Sequence, residues 1–182
     1  MNYYISDLHF GHKNSLSFDN RPWTDIEKHD LELIKRWNNT VGLDDDIYIL
    51  GDISWHGSQK TIEIFKSLNG VKHLVKGNHD HKVLKNRELQ SMFVEICDYK
   101  ELSLEDGKGI VLCHYPMPCF KKHYYGWIHL YGHVHNSFEE NMMSHVKRQM
   151  EALYDIPCRM LNVGVMMPWI DYTPKRIDQL PL

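Results

Sequence analysis

The chain is organised around the stretch VKHLVKGNHD, residues Val71 to Asp80. Its first five residues are typical of a strand, and the polar residues after them are typical of a tight turn. Gly77 allows a close approach of the backbone in that turn. Next come an amide oxygen, an imidazole and a carboxylate, on Asn78, His79 and Asp80. Such a turn favours a metal site, although Gly-Asn-His-Asp also suits an ordinary polar turn.

Two earlier segments predict strands that end in similar groups. Residues 1–6 (MNYYIS) lead into Asp7 and His9, which point the same way in an extended chain. Residues 47–50 (IYIL) lead into Asp52. Strands joined by crossover helices are parallel, and such crossovers are right-handed, so the carboxyl ends of these strands meet at the edge where ligands bind in open α/β sheets. We therefore expect these residues to lie beside Asn78.

Periodic apolar residues predict the helices between these strands. One helix has Thr24 as its N-cap and runs to about Asn38, and a second is capped by Ser58 and stops at residues 69–70. A short helix from about residue 81 to 88 follows the central turn. Residues 14–24 are polar and predict a loop that covers the site.

The second half of the chain predicts hairpins in a mixed sheet. Strand-like segments at residues 92–99, 101–104 and 109–113 are separated by turns such as Glu105-Asp106-Gly107. His114 follows the third of these strands, and a later apolar run leads into His133 and His135. A helix over residues 139–154, with its methionines in the core, precedes a closing strand at 159–165 and a last pairing near 175–177.

Three further residues are candidates for binding a substrate. The guanidinium of Arg21 can fork two phosphate oxygens, although an isolated arginine also commonly pairs with a carboxylate. His12 follows the first ligand pair and Tyr115 follows His114, so both are expected near the site. The basic, aromatic run at 120–127 (FKKHYYGW) either binds a phosphorylated substrate that contains a ring or packs as an ordinary loop.

Composition and charge are those of an ordinary globular protein. The 182 residues, 42% hydrophobic and 25% charged, predict a single domain over residues 1–182. A net charge of -3 argues against a protein that covers a long DNA backbone, while a local patch can still handle a short nucleic acid. Four cysteines without a CxxC pair, and no signal-like or membrane-length apolar run, predict a cytoplasmic protein with reduced thiols and no membrane partner.

The candidate ligands form an oxygen and nitrogen set without thiolates. Such a set suits Mn, Fe, Zn, Ni or Co rather than a cysteine-rich structural zinc site. It exceeds the need of one ion, so we expect two ions that share Asp52 as a bridge. Two neighbouring metals polarise a phosphate and lower the pKa of a water between them. The set comprises Asp7, His9, Asp52, Asn78, His114, His133 and His135.

The order of these motifs resembles the calcineurin-like metallophosphoesterase family, especially its small prokaryotic and phage members without a cap domain. The motifs are Asp7-Leu8-His9, Gly51-Asp52, Gly77-Asn78-His79-Asp80, His114 and Gly132-His133-Val134-His135. The resemblance implies an α/β (α+β) fold, a four-layer αββα sandwich of two mixed sheets flanked by helices. Met166 and Met167 stand where such members often carry an acidic residue.

The resemblance also implies roles for individual residues. Asp7, His9, Asp52 and His135 would hold one divalent ion, and Asp52, Asn78, His114 and His133 the other, with Mn²⁺ as the favoured metal. His79 would give a proton to the leaving oxygen, with Asp80 orienting it, while Arg21 or His12 would stabilise the phosphoryl oxygens.

The implied activity is hydrolysis of small phosphomonoesters or phosphodiesters, including nucleotides, by a hydroxide that bridges the two ions. A nuclease acting on short or structured nucleic acid is the second reading. A non-catalytic binding scaffold on the same fold is the third, and the filled ligand positions disfavour it.

Overall fold

The computed structural model describes residues 1–104 and 107–182, with every side chain in these ranges except those of residues 82–84. Part of the predicted turn Glu105-Asp106-Gly107 therefore lies outside the described residues. The described part contains five α-helices and two four-stranded sheets. The predicted α/β sandwich of two sheets is thus confirmed.

The helices begin and end close to the predicted residues, with differences at their caps. Asp25, rather than Thr24, caps the first long helix, because Asp25 Oδ1 accepts hydrogen bonds from the backbone amides of Glu27 and Lys28 at 2.8 and 3.3 Å. Gly57, rather than Ser58, is the N-cap of the next long helix. The five helices are α1 (Ser15–Phe18), α2 (Ile26–Asn38), α3 (Ser58–Ser67), α4 (Arg87–Gln90) and α5 (Phe138–Tyr154).

Several segments differ from the prediction. Residues 92–99, expected among the hairpins of the second half, instead contribute the strand Glu95–Cys97 to the first sheet, parallel to Val71–Val75. The expected loop at residues 14–24 contains α1, and the short helix expected at 81–88 is a 3-10 turn, Asp80–Lys85, followed by α4. The apolar face of α5 is only partly covered: Met150 packs against a hydrophobic cluster that includes Val111 and Met160, whereas Met142 and Leu153 are 49% and 74% exposed, and Glu140 is the buried residue of this helix. No helix in residues 1–104 and 107–182 has the length and apolarity needed to cross a membrane.

The first sheet contains the strands of the amino-terminal half in chain order. They are β1 (Asn2–Ile5), β2 (Asp46–Ile49), β3 (Val71–Val75) and β4 (Glu95–Cys97), and each is parallel to its neighbour. The predicted pairing near residues 175–177 is present as an antiparallel bridge between Tyr4 and Lys175. The polar residues that follow β1, β2 and β3 consequently meet at one edge.

The second sheet contains β5 (Tyr99–Ser103), β6 (Gly109–Cys113), β7 (Ile128–Tyr131) and β8 (Met160–Asn162). β5 is antiparallel to β6, and the other pairs are parallel, so the sheet is mixed. His114 follows β6, while His133 and His135 follow β7, on the carboxyl side of two parallel strands.

The two sheets share one hydrophobic core and meet at the edge that carries the polar residues. Ile5 and Ile49 from the first sheet and Leu112 and Leu130 from the second belong to the same buried cluster. At the edge, the backbone amide of Ser6 donates to Val163 O at 2.9 Å, and Val165 N donates to Ser6 O at 3.0 Å. The chain just after β1 is therefore hydrogen-bonded to the chain just after β8, which brings the polar ends of both sheets together.

Candidate metal centre

Three donor atoms converge where β1 and β7 end. His9 Nε2 lies 3.2 Å from His135 Nε2, and Asp7 Oδ1 lies 4.0 Å from the first nitrogen and 3.8 Å from the second. Metal–ligand distances of about 2.0–2.2 Å place neighbouring donors roughly 3–3.5 Å apart. The three side chains are therefore close to the spacing that one ion requires.

The hydrogen bonding of the two imidazoles fits a cation between them. His135 Nδ1 lies 2.8 Å from Asp19 Oδ1, which makes Nδ1 the donor and leaves the lone pair of Nε2 facing His9. His9 is 2% exposed, and among the described residues its Nδ1 has no hydrogen-bond partner. A cation would satisfy both Nε2 lone pairs, and the donor set thus suits a borderline transition metal.

A second group of donors lies beside the first. Asn78 Oδ1 is 3.0 Å from His114 Nε2 and 2.9 Å from His133 Nδ1. His114 Nδ1 donates to the carbonyl oxygen of Leu50 at 2.7 Å, so its Nε2 presents a lone pair toward the amide oxygen. Two acceptors at this separation fit a shared cation.

Asp52 lies between the two groups. Its Oδ2 is 3.9 Å from His9 Nε2 and 3.6 Å from His114 Nε2, and its Oδ1 accepts a hydrogen bond from His79 N at 2.9 Å. One carboxylate oxygen thus faces a donor of each group. The structure brings together all seven side chains that the sequence singles out as ligands, and their role as ligands stays a prediction.

Most of these residues have an unusual backbone conformation. Non-glycine residues rarely adopt positive φ angles, which cost of order 1–3 kcal/mol each and cluster at functional sites. Five of the seven candidate ligands have them: Asp7 (φ 55), His9 (φ 52), Asp52 (φ 54), His133 (φ 71) and His135 (φ 51). In two loops the left-handed residues alternate with a buried apolar residue, so that both ligands of each loop reach the site, a feature that strand and turn propensities do not predict.

Two motif glycines allow the ligand loops to approach one another. A Cβ atom on Gly77 would overlap the side chain of Asp52, and a Cβ on Gly132 would overlap Ser6 and Asp7. The expectation that Gly77 permits a close backbone approach is therefore confirmed, and its neighbour is the shared carboxylate.

Burial shifts the pKa of several of these groups. Desolvation raises the pKa of the Asp7 carboxyl, while the same effect, with the charge of Arg21, lowers the pKa of His9 well below its usual range. Burial also lowers the pKa of His133. For His135 burial is the largest single influence and lowers the pKa, but the hydrogen bond to Asp19 together with the negative charges of Asp7 and Asp19 outweighs it, and the pKa is raised. Neutral imidazoles at His9 and His133 are in the form that binds metal.

Asp80 does not orient His79 as expected. Its buried carboxylate accepts hydrogen bonds from the backbone amides of Asp52, Ile53 and Gly77 at 2.9, 3.0 and 2.8 Å. Burial is the largest influence on its pKa, which is raised. The Asp80 side chain faces these backbone amides and not the imidazole of His79, so it joins the loop after β2 to the loop after β3.

Arg21 is not available to a phosphate, and the expectation that it contacts substrate is wrong. Its residue is 4% exposed, and its Nη1 and Nη2 donate to the carbonyl oxygens of Leu8 and Asp7 at 3.0 and 3.1 Å. Its remaining contacts include Asp19 and His29, which sequence reasoning did not single out.

His79 and His12 lie at the open side of the centre. The His79 ring is exposed, with its centroid 4.3 Å from the ring of Trp55 and 6.3 Å from that of His9. His12 stacks on Trp55 at 3.9 Å with an interplanar angle of 2°. The structure thus places one exposed imidazole and a stacked pair of rings beside the first donor group.

Two exposed aromatic rings flank the centre on other sides. Tyr115 is 45% exposed and lies 4.7 Å from the ring of His133, while Phe18 is 53% exposed and lies 5.4 Å from the ring of His135. Tyr115 is therefore where the sequence predicts it, at the edge of the site.

The run at residues 120–127 packs mainly as a loop. Phe120 and Trp127 are buried in a second hydrophobic cluster, Lys121 forms an ion pair with Glu101 at 2.6 Å, and Lys122 lies over the Trp127 ring at 5.0 Å. These contacts favour the second of the two predicted alternatives for this segment.

The comparisons with known proteins give relatives whose names state no activity. No family model matches the chain. It is 33% identical over 179 residues to the uncharacterized protein MJ1445 of Methanocaldococcus jannaschii, covering 97% of this chain and 86% of that protein. The gene 66 protein of Mycobacterium phage L5 is 38% identical over 93 residues, covering 50% of this chain and 44% of its own length. The gene 66 protein of phage D29 is 28% identical over 170 residues, with coverages of 80% and 84%. A crystal structure of AQ665 from Aquifex aeolicus, a protein of unknown function, superimposes with a TM-score of 0.69 and 29% identity over 96% of this chain and 94% of that one.

Proposed function

The chain belongs to the same family as the protein MJ1445 of Methanocaldococcus jannaschii. We propose, from its own residues, that it is a dinuclear metal-dependent phosphoesterase of the calcineurin-like type. The observation that supports this most is Asp52 Oδ2, which lies 3.9 Å from a donor of one group and 3.6 Å from a donor of the other. A carboxylate shared by two groups of nitrogen and oxygen donors suits two neighbouring divalent ions.

In this proposal the protein supplies two ligand sets. Asp7, His9, Asp52 and His135 would hold one ion, and Asp52, Asn78, His114 and His133 the other. The bound ions would polarise the phosphoryl oxygens and lower the pKa of a water. Mn²⁺ is the favoured metal, and Fe, Zn, Ni or Co suit the same donors.

In the hydrolysis an oxygen from water forms a bond to phosphorus while the bond between phosphorus and the ester oxygen breaks, and the ester oxygen needs a proton as it leaves. We assign this proton to His79, because its ring is exposed beside the first donor group while its backbone amide donates to Asp52. A positioned acid contributes about 10²- to 10⁴-fold in rate. The Trp55 ring, 4.3 Å away, limits the positions that the imidazole can take.

The favoured substrates are small phosphomonoesters or phosphodiesters that carry a planar ring, such as nucleotides. Tyr115 and Phe18 present exposed rings beside His133 and His135. Rings of this kind stack on bases without reading their sequence. The same rings suit a nuclease, which is the second candidate.

We place the protein in the cytoplasm, because Cys97, Cys113, Cys119 and Cys158 are all free thiols.

A metal-exchange assay tests the proposed activity. Protein dialysed against a chelator should hydrolyse neither bis-p-nitrophenyl phosphate nor p-nitrophenyl phosphate, and Mn²⁺ should restore hydrolysis of at least one. The more active substrate separates a diesterase from a monoesterase. Turnover of oligonucleotides that falls steeply with added salt would indicate the nuclease. Absence of any turnover with all five metals would support the scaffold and overturn the proposal.

The Tyr115→Ala variant tests the role of the ring. Loss of one stacking surface worth about 1–3 kcal/mol should raise KM for a nucleotide roughly tenfold and leave kcat close to wild type. KM for p-nitrophenyl phosphate, which has a smaller ring, should rise less. Tyr125→Ala is the matched control, because Tyr125 is 74% exposed and makes no contact with the candidate ligands among the described residues. An equal change in both variants would remove Tyr115 from substrate binding.

A further inference from the structure

We propose that Asp19 and Arg21 form a positioning pair that sets the metal affinity of the Asp7, His9 and His135 group. This inference rests on the proposed metal centre and not on the nature of the substrate. Neither residue would contact substrate. Both would act through the residues that they hold.

Asp19 controls which nitrogen of His135 faces the site. Its Oδ1 lies 2.8 Å from His135 Nδ1, and its side chain is 2% exposed. A buried carboxylate at Nδ1 keeps the proton on that nitrogen and fixes the ring plane, so that the Nε2 lone pair points toward His9 and Asp7. Without Asp19, the His135 ring is free to change both its tautomer and its orientation.

Arg21 holds Asp19 in place and extends the contact to the other ligands. Its Nε and Nη2 donate to Asp19 Oδ2 at 2.9 and 2.8 Å, which leaves Oδ1 for His135. The same guanidinium donates to the carbonyl oxygens of Asp7 and Leu8. These carbonyls belong to the loop in which Asp7 and His9 have left-handed backbone conformations. The planar fork of an arginine can make these contacts at once, whereas a lysine ammonium cannot.

The pair therefore joins ligands from the two sheets. Asp7 and His9 follow β1 of the first sheet, and His135 follows β7 of the second. Asp19 contacts His135, the ligand from the second sheet, and Arg21 contacts the loop that carries Asp7 and His9, the ligands from the first sheet. The guanidinium is itself anchored, since Nη1 lies 2.8 Å from His29 Nε2, and His29 Nδ1 lies 2.8 Å from Asp30 Oδ1 on α2.

A purely structural role is the competing explanation, and energetics distinguish it. Both side chains of the pair are buried, with exposures of 0% and 2%. An intact buried ion pair adds little net stability, because desolvation offsets most of the attraction, but removing one partner leaves a buried charge and is strongly destabilising, so a lower melting temperature is expected on either explanation. Supporting contacts to a metal-binding histidine, in contrast, are commonly worth 10- to 100-fold in metal affinity. Metal affinity is therefore the readout that the proposal addresses.

The test is calorimetric titration of chelator-treated protein with Mn²⁺, together with the visible spectrum of the Co²⁺ form. Wild type should bind two ions. Asp19→Ala should weaken one of the two sites about 10- to 100-fold and leave the other within about threefold. Asp19→Asn keeps an oxygen that can accept a hydrogen bond from His135 Nδ1, so its metal affinity should lie between those of Asp19→Ala and wild type. Arg21→Lys should also weaken the same site. Asp44→Ala removes an exposed carboxylate in the loop before β2 and should change nothing.

The outcomes separate this inference from the metal centre itself. If Asp19→Ala binds both ions like wild type, the positioning role is wrong while the metal centre stands. If Asp19→Ala weakens both sites equally, the pair is structural and the inference is overturned. Failure of wild type to bind two ions would overturn the dinuclear proposal and this inference with it.

Discussion

Replacing Asp52 by asparagine should remove at least one of two bound ions and lower phosphoesterase activity more than about 10²-fold, the scale reached when only supporting residues of a metal site are lost. Both oxygens of the carboxylate are in use: Oδ1 accepts the His79 amide, and Oδ2 faces His9 and His114. An asparagine has one acceptor oxygen, so it can satisfy the amide or face the donors, but not both. Asparagine also tolerates the left-handed backbone at this position, which keeps the loop intact.

Metal content by mass spectrometry or calorimetry, and activity with Mn²⁺, measure this effect. Asp46→Asn is the matched control, since Asp46 stands at the opposite end of β2 and its carboxylate contacts His73 at 2.7 Å, away from the centre. Two fully occupied metal sites in Asp52→Asn would show that this carboxylate does not bridge.

Replacing His79 by alanine should preserve both ions and remove most turnover on substrates with poor leaving groups. The imidazole is not among the donors that converge on either group, and the backbone hydrogen bond from residue 79 to Asp52 does not depend on the side chain. Loss of a positioned proton donor lowers the rate about 10²- to 10⁴-fold when the leaving oxygen needs a proton. A p-nitrophenolate leaving group needs little help, so its release should fall much less.

The comparison of alkyl and p-nitrophenyl phosphoesters on one variant checks this role. His81→Ala serves as the control, because His81 is an exposed histidine two residues further along the same segment. Parallel losses on both kinds of ester, or loss of metal from His79→Ala, would contradict proton donation to the leaving group.

The sequence predicts the fold well where local pattern and topology agree. Short apolar runs followed by polar residues mark β1, β2, β3 and β6 within a residue or two of their observed ends. Helix caps are less certain, because Thr24 and Asp25 are adjacent and both suit the position. For α5 the periodicity predicts an amphipathic helix but not what covers it, and Met142 remains 49% exposed.

The positions of the candidate ligands are likewise predictable where the topology alone determines them, and the contacts that depend on loop conformation are not. Donors that directly follow parallel strands, such as Asp52 and His114, are brought to one edge by the topology alone. The contacts of Asp19 with His135 span 116 residues and depend on loop conformation, so no local signal identifies them. Asp80 shows the same limit at short range, since a residue adjacent to His79 in sequence points in another direction.

Because Asp7 and His9 extend from one sheet and His135 from the other, the gap between their donor atoms follows the distance between the sheets. That distance is fixed by side chains such as Ile5 and Leu130, which are 1% and 0% exposed in the shared core. Close-packed interiors resist compression and expansion. In the proposed metal centre, discrimination between divalent ions by ionic radius would therefore depend on the apolar interior as much as on the residues that touch the ion.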